Sequence, residues 1–208
     1  MPASQVLRRI ANSHDPLFEP VSEIYEQALP ARERKPRAAF AALLDRPDYR
    51  LIGMVDDGAA VGFALVYLGA DIALLEYMAT HEALRGRGLG AELCQAVQAL
   101  AGARPILIEV DSDRDHAAPD LDVRRRRKAF YRRCGAREIS GLAYQLPLPG
   151  LGAAPAMDLM LLNGPPTIAK ADLALWLAAI YADVYGQSPV DPRIAAMLDG
   201  LPNPAAAV

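Results

Sequence analysis

Between Leu74 and Gly102 the chain reads as a buried strand, a short turn rich in arginine and glycine, and an amphipathic helix. Leu89, Leu93, Val97 and Leu100 recur at nearly the helical period, so the helix starts on the last glycines of the turn. A helix start leaves its first N–H groups without carbonyl partners, and the aligned peptide dipoles make that end electropositive. Gly86, Gly88 and Gly90 carry no Cβ to hold an anion away from those groups, and Arg85 and Arg87 add positive charge. A strand that delivers such a turn onto a helix is suited to hold a polyphosphate.

Residue types alone leave three readings of this turn. Gly86-Arg-Gly88-Leu-Gly90-Ala91 satisfies the G-x-G-x-x-A pattern of a dinucleotide site, with Glu109 about 20 residues on. In that motif, however, the glycine turn leaves the strand almost directly, whereas residues 81–85 intervene here. A mononucleotide loop is excluded, because no Lys-Ser or Lys-Thr pair closes the glycine run. The third reading is a capped turn with no ligand.

The surrounding pattern bears on that choice. Tyr49 to Val55 and Ala60 to Leu68 are apolar runs about Asp56-Asp57-Gly58, the signature of a β-hairpin, and Ile72 to Thr80 forms the next strand. Three consecutive strands without intervening helices argue against a doubly wound sheet. Pro105 to Asp111 reads as a strand parallel to 72–80, joined to it by the helix as a right-handed crossover. Upstream, residues 4–11 form a strand or an irregular lead-in. Residues 16–29 read as a helix with Leu17, Val21, Ile24, Tyr25 and Ala28 inward and Glu19, Glu23 and Glu26 outward, and 36–44 as a second helix. Downstream come a polar loop (112–123), a helix over 124–133 ended by Gly135, strands at 142–146 and 156–162, and helices at 171–185 and 192–198. The tail's stripe, Leu173, Trp176, Leu177, Ile180, Val184 and Tyr185, packs on the domain itself or on a second copy in a homodimer. The basic run Arg124 to Lys128 reads as a charged helix face near the phosphates.

At 208 residues the chain fits one domain, and its apolar fraction of 52% and charged fraction of 23% suit a water-soluble globule. A net charge of −3 leaves no footprint for nucleic acid. No apolar run approaches the roughly 20 residues that span a bilayer, and the first residues lack the apolar core of a secretory signal, so a cytoplasmic protein without a membrane partner is expected. Cys94 and Cys134 then read as small buried hydrophobes, and His14, His81 and His116 have no metal-ligand spacing; no metal is expected.

Arg85-Gly86-Arg87-Gly88-Leu89-Gly90 resembles the R/Q-x-x-G-x-G/A coenzyme A loop of the GCN5-related N-acetyltransferase (GNAT) family. The preceding EYMATHEAL resembles the family's strand and lead-in, and Lys128-Ala-Phe-Tyr-Arg-Arg-Cys-Gly135-Ala136 resembles its second signature, F-Y-x-x-x-G-F/A. The resemblance spans about Arg50 to Leu162. It implies an α+β fold: a twisted, mostly antiparallel sheet whose central parallel strands, 72–80 and 105–111, splay around acetyl-CoA, with helices on both faces. Residues 16–45 would border the acceptor, and 171–200 would be a helical extension.

Carried over position by position, the resemblance gives the 85–90 loop as the coenzyme clamp and Met78, Ala79 and Thr80 as backbone contacts, with the Met78 N–H on the acetyl carbonyl. Tyr131 matches the tyrosine that faces the coenzyme sulfur. Arg124 and Arg127 stand where many members have Asn and Ala, and Glu82 stands where Pro is common, which alters side-chain contacts to the coenzyme rather than the clamp. Glu76 and Glu109 are carboxylates in otherwise apolar strands, hence candidate bases or a structural pair. A glutamate near 4.3 is about six units too weak to deprotonate an amine near 10.4 unaided. The implied reaction is acetyl transfer to a primary amine, on a small molecule or a peptide, by direct attack in a ternary complex. A non-catalytic acyl-CoA-binding domain and a dinucleotide-binding protein remain the alternatives.

Overall fold

A computed structural model describes residues 5–147 and 156–208. The chain divides into two compact units, one running to Leu68 and resuming over Leu75–Gly102, the other comprising Gly69–Leu74 and the chain from Ala103 onward.

In the first unit, β1 (Val6–Ile10) pairs antiparallel with β2 (Tyr49–Asp56), from Val6 opposite Val55 to Ile10 opposite Leu51. The hairpin expected around Asp57-Gly58 joins β2 to β3 (Ala59–Leu68). Both turn residues have positive φ, +48° and +79°, the twist that suits a two-residue hairpin between right-twisted strands. Helix α1 (Phe18–Ala28) buries Phe18, Val21, Ile24 and Tyr25, each worth about 1.5–3 kcal/mol of transfer free energy. Tyr25 stacks on Phe40 of α2 (Arg37–Ala42) at 4.4 Å and meets Phe63 edge-on at 6.0 Å. Most of strand β4 (Ala73–Thr80) and helix α3 (Leu89–Ala101) complete the unit. Gly62 lets them close up: a Cβ there would lie 2.9 Å from the Ala79 carbonyl oxygen and 3.1 Å from Leu93 Cδ1.

In the second unit, the start of β4 lies parallel to β5 (Ile106–Asp111), and β5 pairs antiparallel with β7 (Met157–Leu162) along its whole length. Helix α4 (Leu121–Arg133) begins three residues before its expected start, with Arg124 Nε 2.8 Å from Asp120 Oδ1 across its first turn. The strand expected at 142–146 does not form. Gln145 donates its N–H to Met197 Sδ and its carbonyl accepts from the Tyr181 hydroxyl, so side chains use the groups a ladder would need, and Tyr144 keeps an isolated bridge to Met157. The neighbour of β7 is instead β6 (Arg137–Glu138), directly after Gly135. The loop expected between the closing strands falls largely on residues 148–155, outside the described residues. A two-residue ladder of β8 (Thr167–Ile168) and β9 (Ala205–Ala206) brackets α5 (Lys170–Asp183) and α6 (Pro192–Asp199). Leu173, Leu177, Ile180 and Tyr181 are fully buried, so the α5 stripe packs within its own chain.

The strand order β1-β2-β3-β4-β5-β7-β6, antiparallel except for the β4–β5 pair, makes a mixed seven-stranded α+β sheet.

Candidate active site

β4 changes character along its length. Its first residues, Ala73 to Leu75, are buried, and residues 76–80 are partly exposed. The parallel ladder with β5 covers only Ala73 opposite Ile106 and Leu74 opposite Leu107. Past that point, the His81 N–H bonds the Val61 carbonyl on the β3 side, 2.8 Å away. Backbone groups alternate between the two edges of a strand, so Ala79 faces β3, and the N–H groups of Met78 and Thr80 face the other edge. The sequence-expected contacts Met78, Ala79 and Thr80 therefore occupy a stretch with one paired edge and one beyond the end of its ladder.

A short 3-10 turn, Glu82–Leu84, carries the chain from β4 into the glycine loop. Gly86 has φ +85° and Gly88 has φ +88°, values that favour glycine, and a Cβ at either would meet nothing within 4 Å. Gly88 is the N-cap of α3, and its carbonyl accepts from the N–H groups of Ala91 (2.9 Å) and Glu92 (3.3 Å). Among the described residues no backbone bond uses the N–H groups of residues 86–90. Leu89 is buried and anchors the helix, Gly90 is half-buried, and Arg87 is exposed. Arg85 is exposed as well, with Glu82 3.5 Å away. An unclaimed row of N–H groups at a helix start, open above and flanked by two guanidinium groups, fits a pyrophosphate.

Tyr131 lies in the second unit on α4, is 8% exposed, and meets Phe130 edge-on at 5.1 Å. Lys128, three residues earlier on the same helix, was not foreseen as a structural anchor. Its ammonium is 2% exposed and sits 2.6 Å from Asp113, 2.8 Å from Glu138 and 2.7 Å from Asp158. Burial alone would lower its affinity for a proton, but the bonds to Asp113, Asp158 and Glu138 outweigh burial and hold its pKa above the ordinary lysine value. Arg124 pairs with Asp120 and Arg127 with Asp111 at 2.9 Å, so this run is largely spent on local carboxylates.

The two candidate bases lie in separate units, and each has partners. The Glu76 side chain, 5% exposed, takes an ion pair from Lys35 at 2.8 Å through Oε1, while its Oε2 is buried without a well-directed hydrogen bond. The Tyr49 hydroxyl beside it is also buried without a well-directed bond, and burial together with the Glu76 charge pushes its pKa far up. Glu109 on β5 accepts from the Tyr144 hydroxyl and, at 2.5 Å, from that of Tyr185 just beyond α5. Burial, reinforced by Glu109, raises the Tyr144 pKa well above that of a free phenol, so it stays a donor. Sequence reasoning missed Lys35, Tyr49, Tyr144 and Tyr185 as partners, because no local pattern couples residues so far apart. Among the described residues no group of three His, Cys, Asp or Glu side chains could hold a metal ion. No described helix is long and apolar enough to cross a membrane.

Comparison with known proteins bears on this geometry. The model of the acetyltransferase (GNAT) family matches residues 16–136, which contain β4, the glycine turn, α3 and Tyr131. A GNAT-family protein from Bacteroides thetaiotaomicron superposes with a TM-score of 0.72 at 23% identity, covering 87% of this chain and 98% of that one. An aminoglycoside 6'-N-acetyltransferase solved with coenzyme A superposes at 0.59 with 15% identity, covering 77% of this chain and 98% of its own. Ard1 from Thermoplasma volcanium gives 0.55 at 19% identity, with 76% and 96% covered. The search of curated proteins found no match. At these identities the solved structures establish likeness of fold, and the family match carries the assignment. With its strand, glycine turn and second-signature helix inside the matched span, the chain belongs to the GNAT acetyltransferase family.

Proposed function

We propose that this protein is an acetyl-CoA-dependent N-acetyltransferase that moves the acetyl group to a primary amine by direct attack in a ternary complex. The observation that carries the reading is β4 running, past the end of its ladder, into a glycine turn whose N–H groups no backbone carbonyl among the described residues claims. In this reading the N–H groups of residues 86–90, with Arg85 and Arg87, hold the coenzyme's pyrophosphate. The backbone of Met78, Ala79 and Thr80 lies along the pantetheine, and the Met78 N–H polarises the acetyl carbonyl, a contribution of about 3 kcal/mol for one preorganised donor. Tyr131 donates a hydrogen bond to the departing thiolate. A phenol near 10 is a weaker acid than a thiol near 8.5, so stabilisation rather than complete proton transfer is its role.

A carboxylate near 4.3 removes the proton of an amine near 10.4 only with help from its surroundings or from a relaying water. Glu76 must first release Lys35, and Glu109 must act past two tyrosine hydroxyls. The acceptor class is a primary amine on a small molecule or peptide, in keeping with the similar structures named as aminoglycoside and protein N-acetyltransferases. A second reading, acyl-CoA binding without turnover, is favoured by that same engagement of both carboxylates.

Calorimetric titration tests the clamp. Acetyl-CoA should bind with micromolar affinity, NADH should not, and Gly88→Glu should abolish binding by forcing a side chain and a negative charge onto the anion site at positive φ. No binding at millimolar acetyl-CoA sinks the reading, and NADH binding in its place revives the dinucleotide site. Thiol release on addition of amines then separates an enzyme from a binding module.

A further inference from the structure

The chain carries 22 basic side chains, and only Lys35, Lys128 and Lys170 among them are lysines. An acyl group can be transferred to a lysine amine once it is deprotonated, whereas a guanidinium keeps its proton in proteins. Lys128 is buried among three carboxylates, and Lys170 lies at the start of α5, its Nζ 3.4 Å from the Asp199 carbonyl. Lys35 is placed differently. Its ammonium is 2.8 Å from Glu76, itself a candidate general base, with 24% of the lysine side chain open to solvent.

The placement is built. The Tyr25 hydroxyl accepts the Lys35 backbone N–H at 2.6 Å, and the Tyr77 hydroxyl donates to the Glu33 carbonyl at 3.1 Å, so two phenols pin residues 33–35. Those rings meet edge-on at 5.0 Å. Glu76 Oε2 lies beside the Tyr49 hydroxyl without a well-directed bond, in a nearly closed environment. Along β4, Glu76 and Met78 are two residues apart, about 7 Å, within the swing of lysine's four-carbon stem. A primary amine, a carboxylate beside it and the candidate carbonyl-polarising N–H are therefore all present in the first unit before any acceptor arrives.

We propose that Lys35 is an internal acetyl acceptor, modified by the chain's own acetyltransferase site. The proposal rests on the function argued above. In the step, the ion pair opens and the ammonium yields one proton to solvent through a relaying water held by Glu76. The free Nζ attacks the thioester carbonyl carbon, an N–C bond forms and the C–S bond breaks. The bonding pair leaves on the coenzyme sulfur, which takes the second amine proton. The products are one amide and one thiol, so each chain reacts once, and Glu76 loses its cation.

The test incubates the purified full chain with isotope-labelled acetyl-CoA and no added amine, then locates the label by peptide mass spectrometry. Expected are one acetyl group per chain at Lys35 and a rate per chain unchanged on about ten-fold dilution, as an intramolecular step requires. The label should vanish in Lys35→Arg, and the rate should fall about ten-fold or more in Tyr131→Phe. Label on Lys170 in place of Lys35, or labelling at the same rate in Tyr131→Phe, marks non-enzymatic acetylation and overturns the proposal. So does an unlabelled Lys35 in a chain that acetylates an added amine, an outcome that leaves the acetyltransferase reading intact. Failure to bind acetyl-CoA at all removes both.

Discussion

Tyr131 sits 8% exposed on α4, with a backbone carbonyl that receives the Ala136 N–H at 3.0 Å and so closes the helix just after it. Its ring is fixed by packing, and its proposed work falls on one hydroxyl. Tyr131→Phe keeps the ring and removes that oxygen. Turnover should fall about 10–100-fold, at or below the low end for general acid catalysis because the hydroxyl stabilises the thiolate without full proton transfer, while acetyl-CoA affinity stays within about two-fold. Steady-state kinetics beside calorimetry check the split, and equal loss of both would make the tyrosine a packing residue. Local sequence was a fair guide at this scale. The open glycine turn ahead of α3 was legible from residue type and spacing, and the positive φ of Gly86 and Gly88 is a conformation that glycine enters freely. The partners of Glu76 and Glu109 were not legible, since a carboxylate's neighbours are set by chain segments brought in from elsewhere.

Helix α4 was expected as a basic face, and its energetics turn on one lysine. Lys128 binds three carboxylates from the 112–114 loop, β6 and β7, while Arg114 also reaches Asp158 and Arg132 lies 3.0 Å from Glu138. Deleting the central cation leaves Asp113 without its lysine and Asp158 and Glu138 each with one guanidinium, so Lys128→Met should cost about 3 kcal/mol, the low end for a broken buried pair, read from denaturant unfolding. The pH dependence has a defined sign. Asp113 has a lowered folded pKa: burial opposes ionisation, but the bonds and charge of Lys128 prevail. Its stabilisation is present above its unfolded pKa near 3.9 and is lost as pH falls through the lower folded value. Lys128, with a raised pKa, stabilises fully below about 10.4 and loses that as pH rises through its folded pKa. The melting temperature of the native chain should therefore hold a plateau between about pH 5 and 9. In Lys128→Met the alkaline decline tied to this lysine should disappear.

At the scale of the whole molecule, ligand linkage offers the broadest check. A ligand that binds only the folded chain, present at about 100 times its Kd, adds about 2.7 kcal/mol. For a chain of 208 residues that corresponds to a rise in melting temperature of about 5–10 °C. Acetyl-CoA should produce it in a thermal scan, NADH should not, and Gly88→Glu should erase it. A shift with NADH and none with acetyl-CoA would reverse the assignment. By itself the sequence determined the order of elements from β2 to α4, the hairpin, the glycine turn and the apolar faces of α1 and α3. These follow from periodicities of two and 3.6 and from turn chemistry, which act over a few residues. Tertiary structure alone decided that β6 rather than residues 142–146 lies beside β7, and that the α5 stripe is buried in its own chain. It also decided which charges are already spoken for. Tyr185 reaches Glu109 across 76 residues of sequence, and Lys35 reaches Glu76 from the segment between α1 and α2. Ion pairing and burial depend on distance in space, and no local pattern carries that distance.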